Sequence, residues 1–200
     1  MIVIVVMIAV IFGIKILKSL SHYDPQTTAL AKVKGEANAP VKIVEYIDLE
    51  CPSCARGSKY LKDFMSNHPR LLHLEVKFFP LAMHPFGMLS AKYAECSARQ
   101  GKFWEFIYLL MERQEQWSTL HDAIPAFEKI AKEVNLDLDK INVCLSDKTV
   151  QETIDANKRE GKALDIGSTP TYLINGKMVV GTKSLDQELS KLLPPVENKH

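Results

Sequence analysis

The stretch VKIVEYIDLECPSCARG, residues 41–57, decides the fold of this chain. Its opening residues are almost all apolar or aromatic, which predicts a strand that is buried on both faces of a sheet. Two cysteines follow, separated by Pro52 and Ser53, and a proline is well tolerated in the first turn of a helix. We therefore expect the cysteines to lie where a buried strand ends and a helix begins that runs to about Asn67.

The remaining pattern alternates strands and helices. Alternating apolar residues predict a second strand from about His73 to Phe79, and apolar residues spaced by three and four predict helices over residues 85–164. The pair Asn175-Gly176 is typical of a β-hairpin, and SLDQELSKLL predicts a last amphipathic helix. A helical crossover makes the first two strands parallel, so the sequence predicts an α/β fold with an inserted α-helical subdomain.

Composition narrows the classes of function. The chain has 200 residues, 46% of them apolar, and a formal net charge of +1, as expected for a globular domain. A protein that binds nucleic acid usually carries a basic stripe or an extreme isoelectric point, and this sequence has neither. We therefore expect no nucleic-acid partner.

The N-terminal residues 1–20 predict a membrane anchor or a signal segment. A spanning helix needs about 20 largely apolar residues, and this segment reaches that length if Lys15 and Lys18 extend their amines to the interface. No basic residue precedes the apolar run, which departs from an ordinary signal peptide, and the lysines that follow it depart from the positive-inside rule. We favour an uncleaved anchor.

The following residues 21–40 are polar and are interrupted by prolines and a glycine, which predicts a linker. The folded domain would then comprise residues 41–195, and residues 196–200 would form a polar tail.

Three interpretations of Cys51 and Cys54 compete. A zinc site needs four ligands, and neither a second cysteine pair nor a closely spaced histidine pair is present, so we expect no metal. Two inert buried thiols would not explain the position between a strand and a helix. A redox pair explains it, because a helix N-terminus stabilises the Cys51 thiolate and Cys54 lies one turn further, close enough to form a disulfide.

Glu45 lies inside the apolar strand that leads to the cysteines. A buried carboxyl has a raised pKa unless it is paired, and it could pass a proton to or from Cys54. Two alternatives stay open at this point. Glu45 could form an ion pair with Lys77 on the neighbouring strand, or its side chain could face outward.

Four segments together resemble the DsbA-like branch of the thioredoxin superfamily: APVKIVEYIDLECPSC, FFPLAMH, AECSARQGKFWEFIYLL and GSTPTYLING. They occur in the order of that family over residues 39–193. The resemblance implies a thioredoxin fold whose helical insertion covers about residues 85–164, with no cofactor. It also implies that Cys51 is the exposed nucleophile, Cys54 the resolving thiol and Glu45 the buried acid.

The resemblance extends to Thr169-Pro170, which matches the cis-proline step of the family. It implies that Pro170 is cis and faces the cysteines, and that the backbone of Thr169 pairs with an extended substrate peptide. The pair Pro52-Ser53 departs from the Pro-His of the best-known member. Since Ser53 carries no imidazole, we do not transfer that member's extreme oxidising strength.

The resemblance implies an enzyme that introduces disulfides into exported proteins at the periplasmic or extracytoplasmic face of the cell envelope. Its partners would be substrate proteins with cysteine pairs and a quinone-linked membrane oxidase of the DsbB or vitamin K epoxide reductase type. A membrane-tethered reductase or isomerase would use the same residues. A redox-inert peptide-binding domain is a third hypothesis, which the intact cysteine motif disfavours.

Cys96 and Cys144 lie on the apolar faces of two predicted helices. They are either two small buried residues or a structural disulfide, which export would permit and which some members of the family carry. His84, in PLAMHP, matches a family position, and its chemistry assigns it no role.

Overall fold

The computed structural model describes residues 24–193, and its centre is a five-stranded sheet in the order β1-β3-β2-β4-β5. Strands β2 and β3 are parallel, and the other neighbouring pairs are antiparallel. The strands are β1 (Val33–Gly35), β2 (Val41–Ile47), β3 (Leu72–Phe78), β4 (Thr171–Ile174) and β5 (Lys177–Val180).

Helices cover the sheet, and those from α3 to α8 form an insertion between β3 and β4. This arrangement confirms the predicted α/β thioredoxin fold with a helical subdomain. The helices are α1 (Pro25–Ala31), α2 (Pro52–Asn67), α3 (Gly87–Arg99), α4 (Phe103–Glu112), α5 (Gln114–Trp117), α6 (Ile124–Glu133), α7 (Leu138–Leu145), α8 (Lys148–Ala163) and α9 (Thr182–Leu192).

Strand β2 is central and buried on both faces, as its apolar sequence predicts. Ile43 and Ile47 belong to the larger core, which also contains residues of α2, whereas Tyr46 packs with Phe79 and Ile166 on the other face. Because side chains alternate along a strand, Glu45 lies on the same face as Ile43 and Ile47. The acid is therefore directed into the larger core, on the side of α2.

The linker predicted over residues 21–40 is wrong for its described part. Pro25 opens helix α1, where it loses no hydrogen bond, and the Asp24 carboxylate caps that helix by accepting the Gln26 N–H at 3.0 Å. Strand β1 then pairs with β3, with Val33 opposite Glu75. Proline and glycine therefore mark element ends in this segment, and they do not mark a linker.

The predicted anchor over residues 1–20 and the tail over residues 196–200 lie outside the described residues. Within residues 24–193, no helix is both long enough and apolar enough to cross a membrane.

A disulfide joins Cys96 on α3 to Cys144 on α7, with 5.8 Å between the Cα atoms. The structure thus contains the bond that the sequence left as one of two alternatives. It links two helices of the inserted subdomain.

Replacing both Cys96 and Cys144 with alanine should lower the free energy of unfolding by about 3 to 4 kcal/mol, because the bond closes a loop with a sequence separation of 48. Urea unfolding of the wild type and the double variant measures the difference. The single variant Cys144→Ala breaks the same bond and should account for most of the loss. Peptide mapping that found both thiols free in oxidised, folded protein would contradict this account.

Candidate active site

Cys51 occupies the N-cap of α2, immediately after the loop that follows β2. Its extended backbone (φ −76°, ψ 121°) turns the chain into the helix, and its carbonyl accepts the N–H groups of Cys54 and Ala55 at 2.9 and 3.1 Å. Both cysteines are free thiols. Cys51 keeps 8% of its surface exposed and Cys54 keeps none, so only the first sulfur is within reach of a second molecule.

The surroundings of Cys51 favour its thiolate. The Cys54 thiol hydrogen-bonds to the Cys51 sulfur and lowers its pKa, whereas partial burial opposes this change. The backbone N–H groups of Cys54 and Ser53 lower the pKa further, so that it falls to about 5. The unpaired N–H groups at the start of a helix act in this way on an anion. At neutral pH the Cys51 sulfur is therefore an anion.

Cys54 has the opposite character. Burial raises the pKa of the Cys54 thiol well above its usual value, and the neighbouring Cys51 thiolate raises it further. The pair therefore holds one thiolate that is ready to react and one thiol that keeps its proton. Such a pair is suited to thiol–disulfide exchange, in which one sulfur is attacked and the other leaves or resolves.

The cis-proline loop lies against Cys51. The peptide bond between Thr169 and Pro170 is cis, and the Cys51 sulfur lies 3.4 Å from the Thr169 carbonyl oxygen, across 118 residues of sequence. The Thr182 hydroxyl also contacts the motif, because it donates to the carbonyl of Ser53 at 3.2 Å. The structure thus brings the start of β4 and the start of α9 to the motif.

Glu45 is 2% exposed, which excludes the outward-facing alternative. The ion pair with Lys77 is also wrong, because the Lys77 amine lies 2.6 Å from Glu160 on the other face of the sheet. Burial raises the pKa of the Glu45 carboxyl to about 8, and the smaller effect of the Tyr172 hydroxyl lowers it. At neutral pH the carboxyl therefore carries a proton that it can give away.

Tyr172 is a site residue that the sequence did not reveal. It lies directly opposite Glu45 in the antiparallel pairing of β2 and β4, so both side chains are on one face of the sheet. A Cβ atom on Gly57 would overlap the Tyr172 hydroxyl oxygen. Gly57 is one turn beyond Cys54 on α2, and its missing side chain makes room for that hydroxyl.

This contact predicts that the effects of substitutions at Gly57 and Tyr172 depend on each other. In the wild type, Gly57→Ala should lower the free energy of unfolding by about 1 to 3 kcal/mol, because the new methyl group overlaps the hydroxyl. In a Tyr172→Phe background the atoms nearest to the new methyl group are 3.4 to 3.5 Å away. The higher helix propensity of alanine should then dominate and raise the free energy of unfolding by up to about 1 kcal/mol. Equal effects in the two backgrounds, measured by urea unfolding, would contradict the contact.

The carboxylate of Asp48 supports the loop before Cys51, a role that no local pattern in the sequence predicts. The Asp48 carboxylate is 1% exposed and accepts the Leu81 N–H at 2.7 Å, the Glu50 N–H at 2.9 Å and the His84 Nδ1–H at 2.7 Å. Burial of the imidazole lowers the pKa of His84, but the hydrogen bond and the charge of Asp48 outweigh this effect and raise it. His84 therefore has a structural partner, which ties the β3–α3 loop to the active-site loop.

Gln114 was also missed. Its side chain is buried at the start of α5, and its amide Nε2 donates to the carbonyl oxygens of Leu49 and Cys51 at 2.8 and 3.2 Å. The inserted subdomain therefore holds the backbone on both sides of Glu50. Among residues 24–193, no group of histidine, cysteine and acidic residues is arranged to bind a metal ion.

Comparison with known proteins places this site in a family. A family model described as Thioredoxin (Thioredoxin_4) matches residues 27–193. The chain belongs to this thioredoxin family. The predicted membership of the thioredoxin superfamily is thereby confirmed, and the fold is similar to that of solved DsbA-like structures.

Two solved structures show how closely this thioredoxin-family domain follows a known fold. Wolbachia pipientis alpha-DsbA1 has a TM-score of 0.69 at 22% identity, and the match covers 88% of this chain and 94% of that one. BdbD from Bacillus subtilis, in its oxidised form, has a TM-score of 0.68 at 20% identity, covering 80% of this chain and 91% of that one.

A curated relative differs in its overall size. The protein named Na(+)/H(+) antiporter NhaA 3 from Salinispora tropica is 29% identical over 156 residues, which are 77% of this chain and 23% of the relative. The chain thus spans about a quarter of the length of the curated relatives it matches.

Proposed function

We propose that this thioredoxin-family domain is a thiol–disulfide oxidoreductase that introduces disulfides into exported proteins at Cys51-Pro52-Ser53-Cys54. The contrast between the two thiols carries the proposal. Cys51 has a pKa of about 5 and lies at the N-terminus of α2 with 8% of its surface exposed, whereas Cys54 is fully buried with a raised pKa. A redox-inert peptide-binding domain would not need that contrast.

The reaction begins from the Cys51–Cys54 disulfide. A substrate thiolate attacks the Cys51 sulfur, a substrate–Cys51 bond forms, and Cys54 leaves as a thiolate. Cys54 then takes a proton, and Glu45 supplies it, because the carboxyl is protonated at neutral pH and the pKa of Cys54 is the higher of the two. This transfer leaves a Cys54 thiol and a Glu45 carboxylate.

A second substrate thiolate then attacks the substrate sulfur of the mixed disulfide. The substrate disulfide forms and the Cys51 thiolate leaves. Two electrons pass from the substrate cysteines to the enzyme pair. A sulfur with a low pKa is a good leaving group, so the surroundings of Cys51 accelerate this step.

Thr169 and Pro170 would bind the substrate beside the sulfur. The Thr169 carbonyl lies 3.4 Å from the Cys51 sulfur, so an extended peptide that paired with this backbone would place its own cysteine next to Cys51. Pro52 and Ser53 complete the surface of the motif. The Ser53 carbonyl is already occupied by the Thr182 hydroxyl at 3.2 Å.

The direction of electron flow depends on whether the protein stabilises the reduced or the oxidised form of the cysteine pair. Stabilising the Cys51 thiolate stabilises the reduced pair and makes the disulfide a stronger oxidant. A pKa of about 5 therefore favours the oxidase over the alternative, a membrane-tethered reductase or isomerase. Ser53 contributes no imidazole to this effect, so the backbone of α2 and the Cys54 thiol supply it.

We place the domain at the extracytoplasmic face of the cell envelope, in the periplasm where one exists. Residues 1–20 would anchor it, and α1 and β1 would belong to the catalytic domain. The apolar N-terminal sequence supports the anchor, and the antiporter name of a relative supports a position at a membrane. Reoxidation would then come from a quinone-linked membrane oxidase of the DsbB or vitamin K epoxide reductase type.

Oxidation of a reduced, unfolded substrate protein tests the proposed activity. The oxidised full chain, mixed with a reduced protein that contains cysteine pairs, should transfer its disulfide in a single turnover and faster than glutathione disulfide does at equal concentration. Trapping with an alkylating agent and mass measurement count the bonds formed. The reductase would be favoured if the substrate stayed reduced while the reduced domain rapidly cleaved insulin disulfides.

A further inference from the structure

The Tyr172 hydroxyl is a buried polar group that the account so far leaves unused. The residue has no exposed surface, and neither its hydroxyl nor Oε1 of Glu45 has a well-aligned hydrogen-bond partner among the described residues. A buried hydroxyl without a well-aligned partner lowers the stability of the folded state. A phenylalanine would fill the same space without that cost, so the hydroxyl calls for a function.

The position of the hydroxyl suggests the function. The register of β2 and β4 sets Tyr172 directly opposite Glu45. The Tyr172 hydroxyl oxygen lies against α2, in the space that a side chain on Gly57 would occupy, one turn beyond Cys54. The Tyr172 phenol is therefore located between the strand that carries the acid and the helix that carries the resolving thiol.

We propose that Tyr172 relays the proton between Glu45 and Cys54 during disulfide exchange. This inference rests on the proposed function and names the path of its proton step. When Cys54 leaves as a thiolate, the Tyr172 O–H gives its proton to the Cys54 sulfur and the Glu45 carboxyl restores it. The products are a Cys54 thiol, a neutral Tyr172 and a Glu45 carboxylate; the reverse transfer deprotonates Cys54 when it attacks a mixed disulfide.

The electrostatics of the site suit a relay. Burial raises the pKa of Tyr172, and the charges of Glu45 and Cys54 raise it further, so the phenol stays neutral and hands the proton on without remaining ionised. A hydroxyl is both donor and acceptor, so one side chain can serve both neighbours. The strand register places Tyr172 opposite Glu45, and its hydroxyl lies against Gly57, one turn beyond Cys54.

The variant Tyr172→Phe, made in the full chain, tests the relay. The rate at which dithiothreitol reduces the Cys51–Cys54 disulfide is measured from about pH 5 to about pH 9 and divided by the concentration of attacking thiolate. The corrected wild-type rate should fall as Glu45 loses its proton near about pH 8. In Tyr172→Phe the rate should be lower by about tenfold or more, and the fall near pH 8 should disappear.

The matched control is Tyr46→Phe, which removes a hydroxyl from the residue next to Glu45. That hydroxyl contacts Glu160 at 2.9 Å on the opposite face of the sheet, so the control should keep the wild-type pH profile. If Tyr172 acts on the proton of Glu45, the double variant Glu45→Gln/Tyr172→Phe should be no slower than Glu45→Gln alone. The wild-type disulfide should be reduced more slowly in heavy water than in ordinary water, and this difference should be lost in Tyr172→Phe.

The outcomes separate the relay from the proposed function. A folded Tyr172→Phe protein with the wild-type rate and pH profile would overturn the relay alone, provided that the wild type exchanges disulfides. A further slowing of Glu45→Gln by Tyr172→Phe would also overturn it. Absence of exchange in the wild type would overturn the proposed function and the relay together.

Discussion

Replacing Cys51 with alanine should abolish thiol–disulfide exchange by this protein. The remaining thiol, Cys54, has no exposed surface and a pKa raised well above its usual value, so it is neither accessible nor ionised at neutral pH. Because the thiolate is the reacting species, a buried thiol cannot replace it. Turnover of insulin disulfides in the presence of a reductant should fall to the uncatalysed rate.

The variant Cys54→Ala is the matched control for this experiment. It leaves Cys51 accessible but removes the thiol that resolves mixed disulfides, so substrate proteins should accumulate in covalent complexes with the enzyme. Alkylation of Cys51 should remain fast, although loss of the Cys54 hydrogen bond should raise the pKa of Cys51. Unchanged insulin turnover in Cys51→Ala would exclude Cys51 as the nucleophile.

Replacing Glu45 with glutamine should change how the stability of the protein depends on pH. The folded protein holds the Glu45 proton up to about pH 8, whereas an unfolded glutamate releases it near pH 4.5. In this range the folded state binds more protons, so the wild type loses stability as pH rises. From about pH 5 to about pH 8 the loss due to Glu45 should be about 3 to 4 kcal/mol.

Urea unfolding of the oxidised protein measures this effect, because neither active-site cysteine titrates in the disulfide form. The variant Glu45→Gln should not lose stability through this group as pH rises. Its free energy of unfolding relative to that of the wild type should therefore increase with pH. Glu75→Gln is the matched control, since Glu75 belongs to the adjacent strand and its side chain is 42% exposed. A constant difference between wild type and Glu45→Gln at every pH would show that the acid is not buried in its protonated form.

Local chemistry made part of this structure predictable. The sequence predicts a helix from Pro52 to about Asn67, because Pro52 fits the first turn and Pro69 lies beyond the end, and α2 has these bounds. The second strand was predicted one residue late at each end, with Leu72–Phe78 observed. The hairpin at Asn175-Gly176 was also predicted, since both residues adopt the positive φ that such a turn requires.

The missed features depend on contacts between distant parts of the chain. Tyr172 meets Glu45 through a strand register that no local pattern reveals, and Gln114 reaches the Cys51 carbonyl across 63 residues. The proposed pair of Glu45 with Lys77 failed for a related reason. In the parallel pairing Val76 lies opposite Glu45, so Lys77 is directed to the other face.

The reduction potential of the Cys51–Cys54 pair tests the central claim most directly. The full chain is equilibrated in glutathione buffers, and the oxidised fraction is measured after acid quenching and alkylation. Because the protein stabilises the Cys51 thiolate, we expect a potential above about −200 mV, towards the disulfide-donor end of the scale. A value near about −270 mV, where thioredoxin lies, would contradict the oxidase and favour a reductase.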